Sequence, residues 1–199
     1  MAYFDVTSRY AQTITSVLEG QTFEQFPLLS RLRVVDSDVL QTFKVVDGLA
    51  GNFETKVLGD GKAYTHEIVF HNNGDITQGA INVAVDMIAR QIYKELEKDM
   101  VESALAHSTG TFVQGMSDFI LTNDNDYVPL SIPKYQVDYF ETAKTIAINP
   151  DTGVLFGEIT PTIVVSMDMQ HNKVKVYGTM RCLGAWYADN VTKEIGGNA

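Results

Sequence analysis

The most regular hydrophobic pattern in the chain lies between Ile76 and His107. Apolar residues recur there at steps of three and four positions, which is typical of one buried face of an α-helix. They are Ile81, Ala84, Val85, Ile88, Ile92, Leu96, Met100, Ala104 and Leu105. A helix of this length measures about 48 Å, whereas a compact chain of 199 residues has a diameter of about 42 Å. We therefore predict one long amphipathic helix, too long for a compact domain of this size, in an elongated molecule.

Further residues mark the ends and the polar face of this helix. Asp75 and Gln78 have the spacing of an N-terminal capping box, and Gly110 predicts the C-terminal end. Two pairs of opposite charge at i,i+4 spacing predict ion pairs on the exposed face: Asp86 with Arg90, and Lys98 with Glu102.

Apolar and polar residues alternate before the helix, between Asp38 and Phe70, which is typical of β-strands. Turn sequences rich in Gly, Asn and Asp separate the alternating stretches. The last strand places four residues on one face: Tyr64, His66, Ile68 and Phe70. We predict a long hairpin or meander. Because such a ribbon has little core of its own, it is expected to rest on something else.

The N-terminal part has weaker patterns. Thr7–Leu18 is a helical candidate that Gly20 would end. Residues 22–35 contain large apolar side chains without a regular period. They are interpreted either as an extended arm that lies on a partner subunit or on the domain, or as an ordinary connecting loop.

After the long helix, Gln136–Ile146 is a second, shorter helical candidate, and a strong turn follows at Asn149–Gly153. Two strands, Thr162–Met169 and Val174–Arg181, are predicted to form a hairpin whose tip is Gln170–Lys173. Trp186 beyond them suits either an interface or the core.

Composition narrows the function classes. The net charge is −10, and the fifteen Lys and Arg residues are scattered, which argues against a generic nucleic-acid binder. The single cysteine, Cys182, cannot form an internal disulfide and is predicted to be an inert small hydrophobe. No stretch of eighteen apolar residues is present, and the N-terminus does not resemble a secretory signal.

Motifs for catalysis or cofactor binding were not found. The run Gly59-Asp60-Gly61-Lys62 lacks the remaining residues of a P-loop, and the four histidines have no zinc-ligand spacing. Residues 123–126 lack the glycine and glutamate of a calcium loop. We therefore expect no cofactor, no metal and no enzymatic activity.

The order of elements resembles the HK97-like major capsid proteins of tailed bacteriophages. An arm leads into a long two-stranded excursion, followed by a capped turn, one very long helix, a mixed α/β segment and a late strand pair. The resemblance implies an α+β fold. It assigns 1–37 to an N-terminal arm, 38–75 to an extended hairpin (the E-loop) and 76–110 to the spine helix of the peripheral domain. A reduced axial domain would occupy 111–161, and the returning hairpin and C-terminal segment 162–199.

The same resemblance implies a structural protein that self-assembles into an icosahedral viral shell enclosing the genome. Its partners would be many copies of itself, with a separate scaffolding protein, a portal and a decoration protein as further candidates. Packaged nucleic acid would be held without sequence-specific binding, no membrane would be involved, and virions would be assembled in the host cytoplasm. The expected assembly contacts are Phe23, Phe26, Leu28, Lys44, Glu54, Lys56, Asp60, Lys62, His171, Asn172 and Lys173.

The chain departs from the family in being short and in lacking a long charged scaffolding segment at its N-terminus. Some relatives cross-link their shells through Lys and Asn with the help of a glutamate. Lys56, Lys62 and Asn172 are candidates, but no glutamate follows Asn172 in its strand, so no cross-link is expected. Two alternatives stay open: another virion component or nanocompartment shell protein, and a small acidic ligand-binding domain or enzyme.

Overall fold

The computed structural model describes residues 25–35, 62–71, 77–124, 131–157, 159–168 and 173–195. The helical candidate Thr7–Leu18, the predicted strands before position 62 and the hairpin tip at 169–172 lie outside the described residues. Asp75 lies outside the described residues as well.

The long helix, α1, spans Gln78–Ala106, which confirms the main prediction from the sequence. Its 29 residues correspond to about 44 Å. The N-cap is Thr77, whose side chain accepts a hydrogen bond from the Ala80 N–H at 3.2 Å. This replaces the Asp75 cap that the sequence suggested.

The C-terminal end of α1 comes four residues before the predicted stop at Gly110. The Ser108 hydroxyl donates to the carbonyl of Ala104 at 2.8 Å, so a side chain satisfies one of the last helical carbonyls. The structure therefore does not need a glycine with positive φ at this point. Both predicted ion pairs are present, with an Arg90–Asp86 distance of 3.0 Å and a Lys98–Glu102 distance of 3.7 Å.

Within the described residues, the strands in chain order are β1 (Arg33–Val35), β2 (Lys62–His71), β3 (Phe119–Thr122), β4 (Lys134–Gln136), β5 (Thr145–Ile148), β6 (Gly153–Gly157), β7 (Thr162–Asp168), β8 (Lys173–Trp186) and β9 (Thr192–Glu194). They form a five-stranded and a four-stranded sheet. Together with α1 they give a mixed α+β architecture, as the resemblance implied.

The first sheet is organised around β8. Along one edge, β2 pairs with it antiparallel over ten residues, from Lys62 opposite Cys182 to His71 opposite Lys173. Along the other edge lie β7 and then β6, both antiparallel to β8. β1 extends the sheet by pairing parallel with β6. The predicted late hairpin is thus confirmed as β7 and β8, but Lys173 belongs to the ladder rather than to the tip.

The second sheet has the order β4-β3-β5-β9. Here the predicted helix Gln136–Ile146 is wrong, because β4 ends at Gln136 and β5 begins at Thr145. All four residues of β5 are buried, and a short, continuously buried apolar run suits a central strand. Val137 and Tyr139 in between reach the core from irregular backbone.

The core lies between α1 and the inner face of the first sheet and continues to the second sheet. Two glycines of β8 allow the helix to approach closely. A Cβ atom at Gly178 would overlap Cγ2 of Ile88, and one at Gly184 would overlap Sδ of Met100. The position of α1 on the first sheet therefore depends on the small size of these two residues.

The alternation predicted for β2 is confirmed by its burial. Tyr64 is buried, and His66, Ile68 and Phe70 on the same face are half-buried, whereas Thr65 and its neighbours on the other face are exposed. The apolar face packs toward the core and α1. The part of the predicted ribbon that the structure describes therefore rests on the subunit's own helix and sheet.

Candidate assembly surface

Most of the expected assembly contacts lie outside the described residues. These are Phe23, Lys44, Glu54, Lys56, Asp60, His171 and Asn172. Their role in assembly stays a prediction from the resemblance. The structure places the other four, which are Phe26, Leu28, Lys62 and Lys173.

Phe26 and Leu28 are held by the chain itself. Leu28 is fully buried in the core, and the ring of Phe26 packs against Tyr93 of α1 with a centroid distance of 5.5 Å. The segment 25–35 thus lies on its own domain. The sequence had allowed either this position or one on a partner subunit. Leu28 offers no surface to a neighbouring subunit in this conformation, because its apolar side chain is used internally.

Lys62 and Lys173 begin β2 and β8, and the structure does not bring them together. Because the two strands are antiparallel, Lys62 lies opposite Cys182 while Lys173 lies opposite His71. Nine residue steps separate the two ends of this ladder, which corresponds to about 30 Å. Lys173 also lies opposite Asp168 of β7, next to the hairpin tip.

The outer face of the first sheet exposes apolar side chains near its centre. Val164 of β7 lies directly opposite Tyr177 of β8, and they are 52% and 37% exposed. Val69 of β2 lies one row further along and is 38% exposed. A second exposed apolar pair, Val83 and Met87, lies one turn apart on α1. Exposed valine and tyrosine side chains on adjacent strands are suited to contact with another protein surface.

A buried polar cluster joins the N-terminal segment to α1 and to the second sheet. Its centre is Glu97, which is 1% exposed. The Leu28 N–H donates to Oε2 of Glu97 at 2.8 Å, and the Leu29 N–H donates to the same oxygen at 3.3 Å. The Tyr139 hydroxyl donates to Oε1 at 3.1 Å.

This arrangement follows from the backbone of the segment. Leu29–Arg31 forms a single 3-10 turn, and the first N–H groups of any helical turn lack partners within it. Glu97 supplies the missing acceptor from a different element. We name the group of Leu28, Leu29, Glu97 and Tyr139 the Glu97 junction.

Arg31 strengthens the same region. Its guanidinium lies over the rings of Phe119 and Tyr135, at 4.8 and 4.6 Å from their centroids. It donates to the Pro27 carbonyl at 2.6 Å and to the Tyr135 hydroxyl. A planar cation close to two rings gains cation–π attraction from both, so Arg31 fixes the segment to strands β3 and β4.

Burial raises the pKa of Glu97 to about 7, although its two amide donors, Tyr139 and Arg31 act to lower it. Burial, and then the charge of Glu97, raise the pKa of Tyr139. The pKa of the Cys182 thiol is raised to about 12, chiefly by burial, which agrees with the prediction of an inert thiol.

Sequence reasoning missed Glu97, although the sequence contains a sign of it. The positions Ile81, Val85, Ala89, Tyr93, Glu97 and Val101 follow one another at i,i+4 spacing, and all are buried. Successive residues at this spacing are neighbours on the surface of a helix. A lone acid in such an apolar row indicates a buried carboxyl, but its partners on the N-terminal segment and near β4 cannot be found from spacing.

A second polar contact joins β2 to α1. The Tyr64 hydroxyl donates to Asp99 at 2.9 Å, and His66 lies 2.9 Å from Glu95. Burial and the hydrogen bond to Asp99 raise the pKa of Tyr64. Trp186, which the sequence assigned to an interface or the core, packs on the core and donates through Nε1 to the Met100 carbonyl at 3.1 Å.

Two findings concern other kinds of site. In the part of the chain that the structure describes, no group of three or more His, Cys, Asp and Glu side chains could hold a metal ion. Among the helices of those residues, none is both long enough and apolar enough to cross a membrane.

No protein-family model and no curated protein matches the chain. Solved structures do resemble it. A chain of the virus-like particle from Pyrococcus furiosus has a TM-score of 0.58 at 9% identity, covering 96% of this chain and 99% of that one. A chain of the procapsid of bacteriophage JBD30 has a TM-score of 0.51 at 11% identity, covering 98% of this chain and 76% of that one. A chain of the procapsid of satellite phage P4, which includes the size determination protein, has a TM-score of 0.50 at 8% identity, covering 92% of this chain and 97% of that one.

These similarities extend over nearly the whole chain, although the sequence identities are too low to show a relationship by themselves. The resemblance to HK97-like major capsid proteins, first suggested by the order of elements, is thereby confirmed at the level of the fold. The chain has the α+β fold of subunits found in phage procapsids and a virus-like particle.

Proposed function

We propose that this chain is a structural shell protein, which self-assembles in many copies into a closed icosahedral shell around a viral genome. The observation that carries the proposal is the match with the virus-like particle chain over 96% of this chain and 99% of the other. A match over nearly the whole of two chains of similar length supports a shared structural role better than a match to one part of either chain would.

The charge of the chain is compatible with this role. A chain with a net charge of −10 has little overall affinity for phosphate, which is compatible with enclosing a genome without binding it tightly or sequence-specifically. The scaffolding, portal and decoration partners, and assembly in the host cytoplasm, belong to the proposal through the resemblance. So do the domain limits and the assembly roles of Lys62, Lys173 and the contact residues outside the described ranges.

The test is to express the full chain, measure its mass by analytical ultracentrifugation and image it by negative-stain electron microscopy. Closed particles of megadalton mass are expected. A protein that stays monomeric or dimeric under conditions that assemble related shells contradicts the proposal.

A pair of matched variants locates one subunit contact. Val164→Asp places a charge in the exposed apolar centre of the first sheet, whereas Ser166→Asp places the same charge two residues along the same face, opposite Lys175. If neighbouring subunits cover this centre, Val164→Asp lowers the particle yield at least tenfold and Ser166→Asp does not. If both variants give the particle yield of the wild type, this face is excluded as a contact, while circular dichroism checks that each protein is folded.

A shell without a genome, such as a nanocompartment, is the second candidate, because one of the similar structures is described as a virus-like particle. The nucleic acid content of nuclease-treated particles separates the two candidates. A genome-containing shell protects nucleic acid of defined length, whereas a compartment shell protects none.

A further inference from the structure

The attachment of the N-terminal segment to the rest of the subunit depends on a buried carboxyl group. Two backbone N–H groups of the segment converge on Oε2 of Glu97, at 2.8 and 3.3 Å. Glu97 lies well away from both ends of α1, and it is 1% exposed. The segment therefore depends on an acceptor that water does not reach while the segment is attached.

The Glu97 junction can hold the carboxyl in both protonation states. Oε2 accepts from the two amides whether or not Glu97 is charged. Oε1 accepts from the Tyr139 hydroxyl when Glu97 is charged. When Glu97 is neutral, Oε1 carries the proton and can donate it to the oxygen of the same hydroxyl, because a phenol both donates and accepts. Protonation thus preserves every hydrogen bond of the junction.

Ionisation of Glu97 changes the balance between the attached and the released state of the segment. A charged carboxyl loses its hydration on burial, and the two amides, Tyr139 and Arg31 compensate for that loss only in part. Release of the segment would return Glu97 to water. The charged form therefore favours release, whereas the neutral form favours attachment.

Charged and titratable groups approach Glu97 from several elements. Arg31, from the N-terminal segment, acts on Glu97 through its charge and stays protonated in proteins. Tyr139 comes from the segment after β4, and its pKa is raised. Tyr93, one turn away on α1, has its pKa raised to about 12 by burial and donates to the Ile159 carbonyl. Two residues before Glu97 on α1, Glu95 lies 2.9 Å from His66 of β2.

We propose that Glu97 makes the attachment of residues 25–35 sensitive to pH, so that the segment is held most firmly in acid and is released more readily as the medium becomes alkaline. The proposal concerns the single chain and does not rest on shell assembly. If the chain forms a shell, the junction would let pH alter an N-terminal segment without disturbing the contact between α1 and the first sheet.

The direction follows from linkage. Burial raises the pKa of Glu97 from an ordinary 4.5 to about 7. A raised carboxyl pKa favours the attached state fully below pH 4.5, and this preference is lost as the pH rises through about 7. Between pH 5 and pH 8, the ratio of released to attached segment is expected to rise roughly 70-fold.

Hydrogen–deuterium exchange measured by mass spectrometry on the full chain tests this inference. Peptides that cover residues 25–33 are followed at pH 5 and pH 8, with rates corrected for the intrinsic effect of pH. In the wild type, the protection of these amides is expected to fall roughly 70-fold. Peptides from β8 provide the reference and are expected to show no such change.

Glu97→Gln is the decisive variant. The glutamine amide can accept from both backbone N–H groups and donate to Tyr139, so it imitates the neutral acid at every pH. We expect strong protection at both pH values. A wild type without pH dependence, or a Glu97→Gln variant that keeps the dependence of the wild type, overturns the proposal.

Tyr139→Phe provides a second measurement if Glu97→Gln folds poorly. It removes a donor that stabilises the charged carboxylate, so the midpoint of the protection change is expected to move to higher pH. An unchanged midpoint contradicts the assignment to Glu97. Because neither measurement requires particles, failure of this inference is distinguishable from failure of the shell function.

Discussion

The two sides of α1 are equally buried and yet are held by different chemistry. Toward the first sheet, Ile88 and Ile92 pack against β8, where Gly178 allows close approach. Toward the N-terminal segment and the second sheet, the contact is the Glu97 junction. Ile92 is 0% exposed and Glu97 is 1% exposed, so burial alone does not distinguish the two sides.

The difference has consequences for how each side responds to change. Apolar packing is sensitive to volume and indifferent to pH. A buried hydrogen-bonded carboxyl is sensitive to protonation and to the loss of a partner. The packing of α1 on β8 should therefore be insensitive to pH, whereas the Glu97 junction should respond to it.

Breaking the helix itself should abolish both contacts and have the largest effect. Ile92→Pro removes a backbone hydrogen bond in the middle of α1 and strains the preceding turn, which costs about 3 kcal/mol or more. We expect loss of the cooperative urea transition and of assembly. The control, Ile92→Val, should cost about 1 kcal/mol. Intact shells from Ile92→Pro would refute the role of α1 as the strut of the subunit.

The apolar side can be tested alone through Gly178. Gly178→Ala places a Cβ atom against Cγ2 of Ile88, and such overpacking costs about 1–3 kcal/mol. The unfolding free energy should fall equally at pH 5 and pH 8. In the double variant Gly178→Ala with Ile88→Ala, the loss of unfolding free energy should be smaller than the sum of the losses in the two single variants. The reason is that Ile88→Ala removes the methyl group that collides with the new Cβ atom. Additive losses would mean that the close approach of α1 to β8 is not the cause.

What the sequence could predict follows the same division between apolar and polar contacts. The helix, the face of β2 and the β7–β8 hairpin were predictable, because a regular period reports which residues share a buried face. The order of these elements then suggested the fold. The region 136–146 was wrongly predicted as a helix, because a short apolar run does not distinguish a buried strand from a helix.

The candidate site was predicted less well. Phe26 and Leu28 were recognised as apolar residues in need of a partner, but the pattern could not tell a neighbouring subunit from the chain's own core. Glu97 was missed because its partners lie far away in sequence, at Leu28 and Tyr139. Hydrogen bonds to backbone N–H groups leave no trace in residue type, so the lone acid in an apolar row was the sole sign.

The smallest predicted effect concerns Arg31, which fastens the N-terminal segment from the side of the second sheet. Arg31→Met keeps much of the apolar stem but removes the cation that lies over Phe119 and Tyr135, and we expect a loss of about 1 kcal/mol in the unfolding free energy. Arg33→Met, at an exposed position of β1, is the matched control and should change it by less than about 0.5 kcal/mol. Because the positive charge of Arg31 also lowers the pKa of Glu97, its removal should shift the release of residues 25–33 to higher pH in the exchange experiment. An Arg31→Met protein that loses stability without that shift would separate the aromatic contact from the Glu97 junction and make them two independent attachments.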